Sequence, residues 1–195
     1  MATPRATSQR RNKGFDETHQ DMIETAVRLI SEKGVDSLSI AALARAMGIN
    51  RTTVYYHFES REALLAAVKD WSSAQLARGM DMAFPRMDRA SHIAHFVLEN
   101  PELIKLWIED FISGGDIRKA YPRWDEMIAG MRERFAEEQP ETGIDAEVYC
   151  VLMLTSAIIG PLVYRNGLAA GDDTEDIARR FIAEQVRTLT RDGMM

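Results

Sequence analysis

Residues 50–58, NRTTVYYHF, gather an arginine, two threonines, two tyrosines and a histidine into one short segment. Threonine and tyrosine hydroxyls donate to phosphate oxygens, a threonine methyl meets the C5-methyl of thymine, and an arginine forks onto guanine O6 and N7. On a helix, Val54 and Phe58 stand at i and i+4 and make an apolar side. Arg51, Thr52, Tyr55 and Tyr56 point away from that side, and His57 follows them. Such a helix is too polar for a core and too sparsely charged for an ordinary solvent-facing helix. Its polar side is therefore a candidate surface for nucleic acid, with two alternatives open: Tyr55 packs on a neighbouring helix, or His57 only caps its own.

A helix of this kind needs a frame behind it. Ser39 is placed to cap a short helix over 40–47, with Ile40, Leu43, Ala44 and Met47 on its inner stripe. Gly48 ends that helix, and Asn50 caps the next, so 40–57 reads as a helix-turn-helix. A longer helix from about Asp16 to Lys33 carries Ile23, Ala26, Val27 and Ile30 on one face, with Gly34 placed as a left-handed C-cap. Ser60 opens a fourth helix that runs to near Pro85.

The net charge of −6 argues against nucleic acid until its distribution is read. Residues 1–70 hold 10 Lys/Arg against 9 Asp/Glu, whereas residues 71–195 hold 14 against 21. Arg5, Arg10, Arg11 and Lys13 precede the first acidic residue, which suits a polyanion contact confined to one end. A lone cysteine, Cys150, excludes an internal disulfide, and the first 15 residues lack an apolar signal segment, so a cytoplasmic protein is expected, nucleoid-associated when bound to DNA.

The stretch SLSIAALARAMGINRTTVYYHFESREALLAAV, Ser37 to Val68, resembles the DNA-binding domain of the tetracycline-repressor (TetR) family of bacterial transcription regulators. The resemblance rests on Leu38-Ser39, Leu43-Ala44, Gly48-Ile49, Thr53-Val54-Tyr55 with Phe58, and Ser60-Arg61-Glu62 with Leu64-Leu65, and covers roughly Thr18 to Lys69. It implies DNA contacts at Arg51, Thr52, Thr53, Tyr55, Tyr56 and His57, with phosphate contacts from Ser39 and Arg61. Ala41 and Ala42 stand where members often carry polar groups, so helix 40–47 is expected to read no bases. Glu59 stands where members are often basic and is expected to face solvent or pair with Arg61. The implied organisation is all-α with about nine helices. A basic flexible arm over 1–14 precedes a three-helix DNA-binding domain over 15–62, and 63–195 is a ligand-binding and dimerisation domain.

The C-terminal part reads as five further helices, at about 88–98, from Pro101, 121–138, 145–168 and 174–191. No charge interrupts residues 148–164, although Thr155, Ser156, Gly160 and Pro161 make the run a poor membrane span. Val151, Leu154, Ile158 and Leu162 form one stripe, flanked by Leu152, Ile159 and Val163. One apolar face can pack within the chain and the other needs a second copy. A homodimer through the last two helices is expected, binding pseudo-palindromic double-stranded operator DNA. His95, Phe96, Trp107, Phe111, Trp124, Met127, Met131, Tyr149 and Met153 are candidates for a pocket holding a largely apolar small-molecule effector. The same residues at helical spacing also serve as plain core.

His92 and His95 have no third ligand at metal spacing, so neither metal nor cofactor is expected. No nucleophile elbow, phosphate loop, HExxH or dinucleotide fingerprint occurs, and an enzyme is not expected. A helical adaptor that binds only protein would leave the Thr/Tyr/His side and the basic arm without a role.

Overall fold

The computed structural model describes residues 5–80, 83–114, 116–121, 123–141 and 143–193. Every regular element among them is helical: α1 (Arg5–Lys33), a 3-10 turn (Val35–Ser37), α2 (Ile40–Met47), α3 (Arg51–His57), α4 (Arg61–Met80), α5 (Arg86–Glu99), α6 (Pro101–Ile112), α7 (Ile117–Ala120), α8 (Trp124–Glu138), α9 (Ala146–Gly167) and α10 (Thr174–Arg191). The chain divides into two compact units, to Ser72 and from Ser73, so the division falls inside α4 and beyond the boundary expected at 62/63.

In the first unit, α1 begins at Arg5 rather than Asp16. The acidic first turn near Asp16 marks a favourable start but does not stop a helix from extending backwards through Arg, Gln and Lys, which are good helix formers. The side chains of Arg5, Arg10, Arg11 and Lys13, together with residues 1–4 of the expected arm, lie outside the described residues. The expected α1 stripe is buried and gains Met22 and Leu29; it shares a core with Leu38, Ile40, Leu43, Val54, Phe58, Leu64 and Val68. Gly34 has φ 77° but ψ 165°, which is not the left-handed helical cap expected of it. Only glycine enters this region without strain.

In the second unit, α5 lies against α10 and α9, while α8 and α6 also pack on α9. Cys150, Leu154, Ala157, Ile158 and Leu162 make the inner stripe of α9, while Val148, Val151, Leu152 and Val163 are exposed. By length and composition α9 is the one helix among the described residues that would reach across a membrane, yet its inner stripe is spent on these neighbours. A Cβ on Gly79 would collide with Ile93, so the glycine permits the end of α4 to lie directly on α5. The side chain of Asn100, which precedes α6, does not cap that helix; its Nδ2 donates back to Phe96 O at 3.0 Å. Asp145 and Asp173 cap α9 and α10 through backbone N–H groups of their first turns.

Candidate nucleic-acid interface

Three local devices set α3. Ser39 Oγ accepts from Ala42 N at 3.0 Å and starts α2. Gly48 turns the chain in the left-handed region (φ 67°, ψ 28°), with Ile49 N donating to Ala44 O at 3.0 Å. Asn50 Oδ1 then accepts from both Thr53 N (2.8 Å) and Thr53 Oγ1 (2.9 Å) and starts α3. Val54 and Phe58 are buried, which turns the opposite side of α3 outwards.

That outward side carries Arg51 and Thr52, both exposed, with Tyr55 at 55% and Tyr56 at 70% exposure. A tyrosine that packed as core would not keep half its surface, so Tyr55 belongs to the polar side. Ser39 keeps its hydroxyl hydrogen, because its oxygen only accepts, and it remains able to donate to a phosphate. Thr53 does not: its hydroxyl hydrogen is spent on Asn50.

His57 and Arg61 are placed differently from the expectation. The His57 ring stacks on Phe15 (centroids 4.2 Å apart) and stands 5.6 Å from His19, in a cluster that Tyr56 closes edge-on. Its Nδ1 is buried, and burial together with the neighbouring His19 holds it below the usual histidine value. A neutral, stacked imidazole supplies no charge to a phosphate; it fastens the end of α3 to α1. Arg61 donates from Nε to Leu38 O (2.7 Å) and from Nη2 to Val35 O (3.1 Å). These bonds satisfy carbonyls just ahead of α2, so Arg61 fixes the start of the helix-turn-helix. Glu59 is exposed, as one of its two expected settings requires. Phe15 and His19 were not among the residues read from sequence, although their i, i+4 spacing midway along α1 marks them as neighbours.

The pocket candidates separate into several groups. Met127, Met131 and Met153 line a cavity of about 130 Å³, with Gly79, Arg89, Ile93, Arg134, Cys150 and Gln185 among the other walls. Burial pushes the Cys150 thiol up to about 11. The remaining candidates lie elsewhere. Trp107 lies tilted against Phe111 and edge-on to Tyr121, and Phe111 stacks on Tyr121. Trp124 is buried with Nε1 3.4 Å from Glu147 Oε1, and Tyr149 packs edge-on to Phe135 while its hydroxyl donates to Asp192 Oδ2 at 3.1 Å. Phe96 is buried beside His92, and His95 bonds to Glu175 on α10. Aromatic type at helical spacing marks burial but not which cavity a side chain borders. Cys150, Arg89, Arg134 and Gln185 were missed because two are charged, one is polar and one is a lone small thiol.

The sequence model for bacterial regulatory proteins of the tetR family matches residues 22–68. The chain is similar to the HTH-type transcriptional regulator AcrR of Shigella flexneri, 33% identical over 60 residues that cover 31% of this chain and 28% of that protein. It is likewise similar to the class A tetracycline repressor protein of Escherichia coli, 36% identical over 67 residues, 34% of this chain and 30% of that protein. The chain thus matches less than a third of the length of these two relatives. A solved TetR-family transcriptional regulator from Pectobacterium atrosepticum superposes with a TM-score of 0.55 at 19% identity, covering 91% of this chain and 94% of that one. That likeness extends the shared fold well beyond the matched segment. Residues 22–68, which include the capped frame around α3, are thus similar to the N-terminal segment shared by the tetR family of bacterial regulatory proteins.

Proposed function

We propose that the protein is a DNA-binding transcriptional repressor that leaves its operator when a small molecule occupies the second unit. The observation that carries the reading is the outward side of α3: Arg51, Thr52, Tyr55 and Tyr56 exposed together on a helix whose other side is buried and whose start is capped. Base reading falls to Arg51 and Thr52, and phosphate contacts to Tyr55, Tyr56 and Ser39. The protein works in the cytoplasm as a homodimer through α9 and α10, supported by the exposed apolar residues Val148, Leu152 and Val163 on α9. Two copies of α3 then enter successive major grooves of a two-fold operator, with centres about 34–36 Å apart.

The effector enters the cavity lined by the three methionines, where the last turn of α4 contributes Gly79. The first residue of the same helix, Arg61, holds the start of α2. A ligand that favours one setting of α4 by about 1–3 kcal/mol is enough to alter operator affinity 5–150-fold. An electrophoretic mobility shift tests the proposal, using fragments of the host genome and excess non-specific competitor. Retention of a discrete set of fragments is expected. Equal retardation of all fragments, or of none, would overturn it.

A further inference from the structure

The walls of the 130 Å³ cavity sort by chemistry. Met127 and Met131 on α8 and Met153 on α9 supply thioethers, which make favourable contacts with aromatic rings. The polar walls are Arg89, Arg134 and Gln185, and none of the described lining residues is an aspartate or glutamate. Arg134 gives one N–H to Glu138 (3.2 Å) and, with five N–H groups in all, keeps donors to spare. All three polar walls can donate hydrogen bonds, and two of them carry positive charge. Size narrows the choice further. An apolar cavity of about 150 Å³ holds benzene, so this one has room for a single ring.

Resting on the reading of this cavity as the effector site, we infer that it takes a compact aromatic carboxylate. One ring lies among Met127, Met131 and Met153, and one carboxylate turns to Arg89, Arg134 and Gln185. Benzoate, toluene and benzylamine are matched probes that vary only the polar end. Calorimetry on the full chain without DNA should give benzoate at least tenfold tighter than toluene, with no heat from benzylamine.

Cys150, the single cysteine of the chain, lines the same cavity and reports where a probe sits. Its modification by methyl methanethiosulfonate should slow as benzoate saturates. In Arg134→Met, benzoate should lose affinity while toluene is unchanged, which separates a lost partner from a lost fold. The inference is overturned if benzoate does not bind, if it binds without protecting Cys150, or if toluene or benzylamine binds as well as benzoate. A mobility shift on the same preparation keeps the two readings apart. An intact shift without benzoate binding overturns only the ligand class, and an absent shift overturns the DNA reading whatever the cavity binds.

Discussion

Arg61 spends its guanidinium on the protein's own backbone, bonding carbonyls 26 and 23 residues away in sequence. Hydrogen bonds to a charged group contribute about 1.5–3 kcal/mol each, and Arg61 is only half-buried. Arg61→Ala should therefore destabilise the chain by about 2 kcal/mol, read as a lower urea midpoint at unchanged slope. Arg61→Lys should recover little, because one ammonium does not reproduce the planar fork. An unchanged midpoint in Arg61→Ala would show that the two bonds add nothing. The caps at Ser39, Asn50 and Ser60 and the turn at Gly48 were legible in the sequence because each acts within three or four residues of itself. The duties of Arg61 and His57 were not, since they depend on partners that only the fold brings near.

At the level of elements, α5 and α10 are clasped by His95. Its Nδ1 lies 2.8 Å from Ser91 O and its Nε2 2.9 Å from Glu175 Oε2, and only the protonated ring can donate from both nitrogens. The Glu175 hydrogen bond, then that of Ser91, hold His95 above the usual histidine value. A raised histidine contributes stability that is complete below its unfolded value of about 6.5 and is lost as pH rises through the folded value. Both partners are partly exposed, so the gain is under about 1 kcal/mol. His57, lowered by burial, slopes the other way: protonation below about 6.5 weakens the first unit. Comparison with Glu175→Gln isolates the clasp. The variant should lose stability against the parent at pH 6 and lose less at pH 8.5, measured by thermal unfolding, whereas an identical deficit at both values would contradict the assignment.

Helices with a long apolar stripe, such as α9 and α10, were legible from period alone. The four-residue α7 was not, because one turn shows no period. Nor could the period assign Trp107, Trp124 and Tyr149 to particular neighbours, and those residues border three different clusters.

For the whole molecule, the proposed assembly is tested at α9. The stripe through Leu154, Ile158 and Leu162 is buried within the chain, so a charge at Ile158 would test folding and not association. Leu152 and Val163, 57% and 62% exposed, lie on the face proposed above to meet a second copy. Leu152→Arg would place an unpaired charge in that interface at a cost of several kcal/mol. Sedimentation at micromolar concentration should find the parent dimeric and the variant monomeric, with an unchanged helical spectrum. A dimeric variant would move the interface elsewhere. Selection of bound duplexes from a random library, run in parallel with the parent chain and Arg51→Ala, tests whether the exposed side of α3 reads DNA sequence. The parent should enrich a two-fold symmetric motif with half-sites about one helical turn apart. Arg51→Ala should keep the spacing and lose discrimination at one position in each half-site, about 1–3 kcal/mol if that base is guanine. No enriched motif from the parent, or the same motif with the same discrimination from Arg51→Ala, would show that this side of α3 does not read sequence through Arg51.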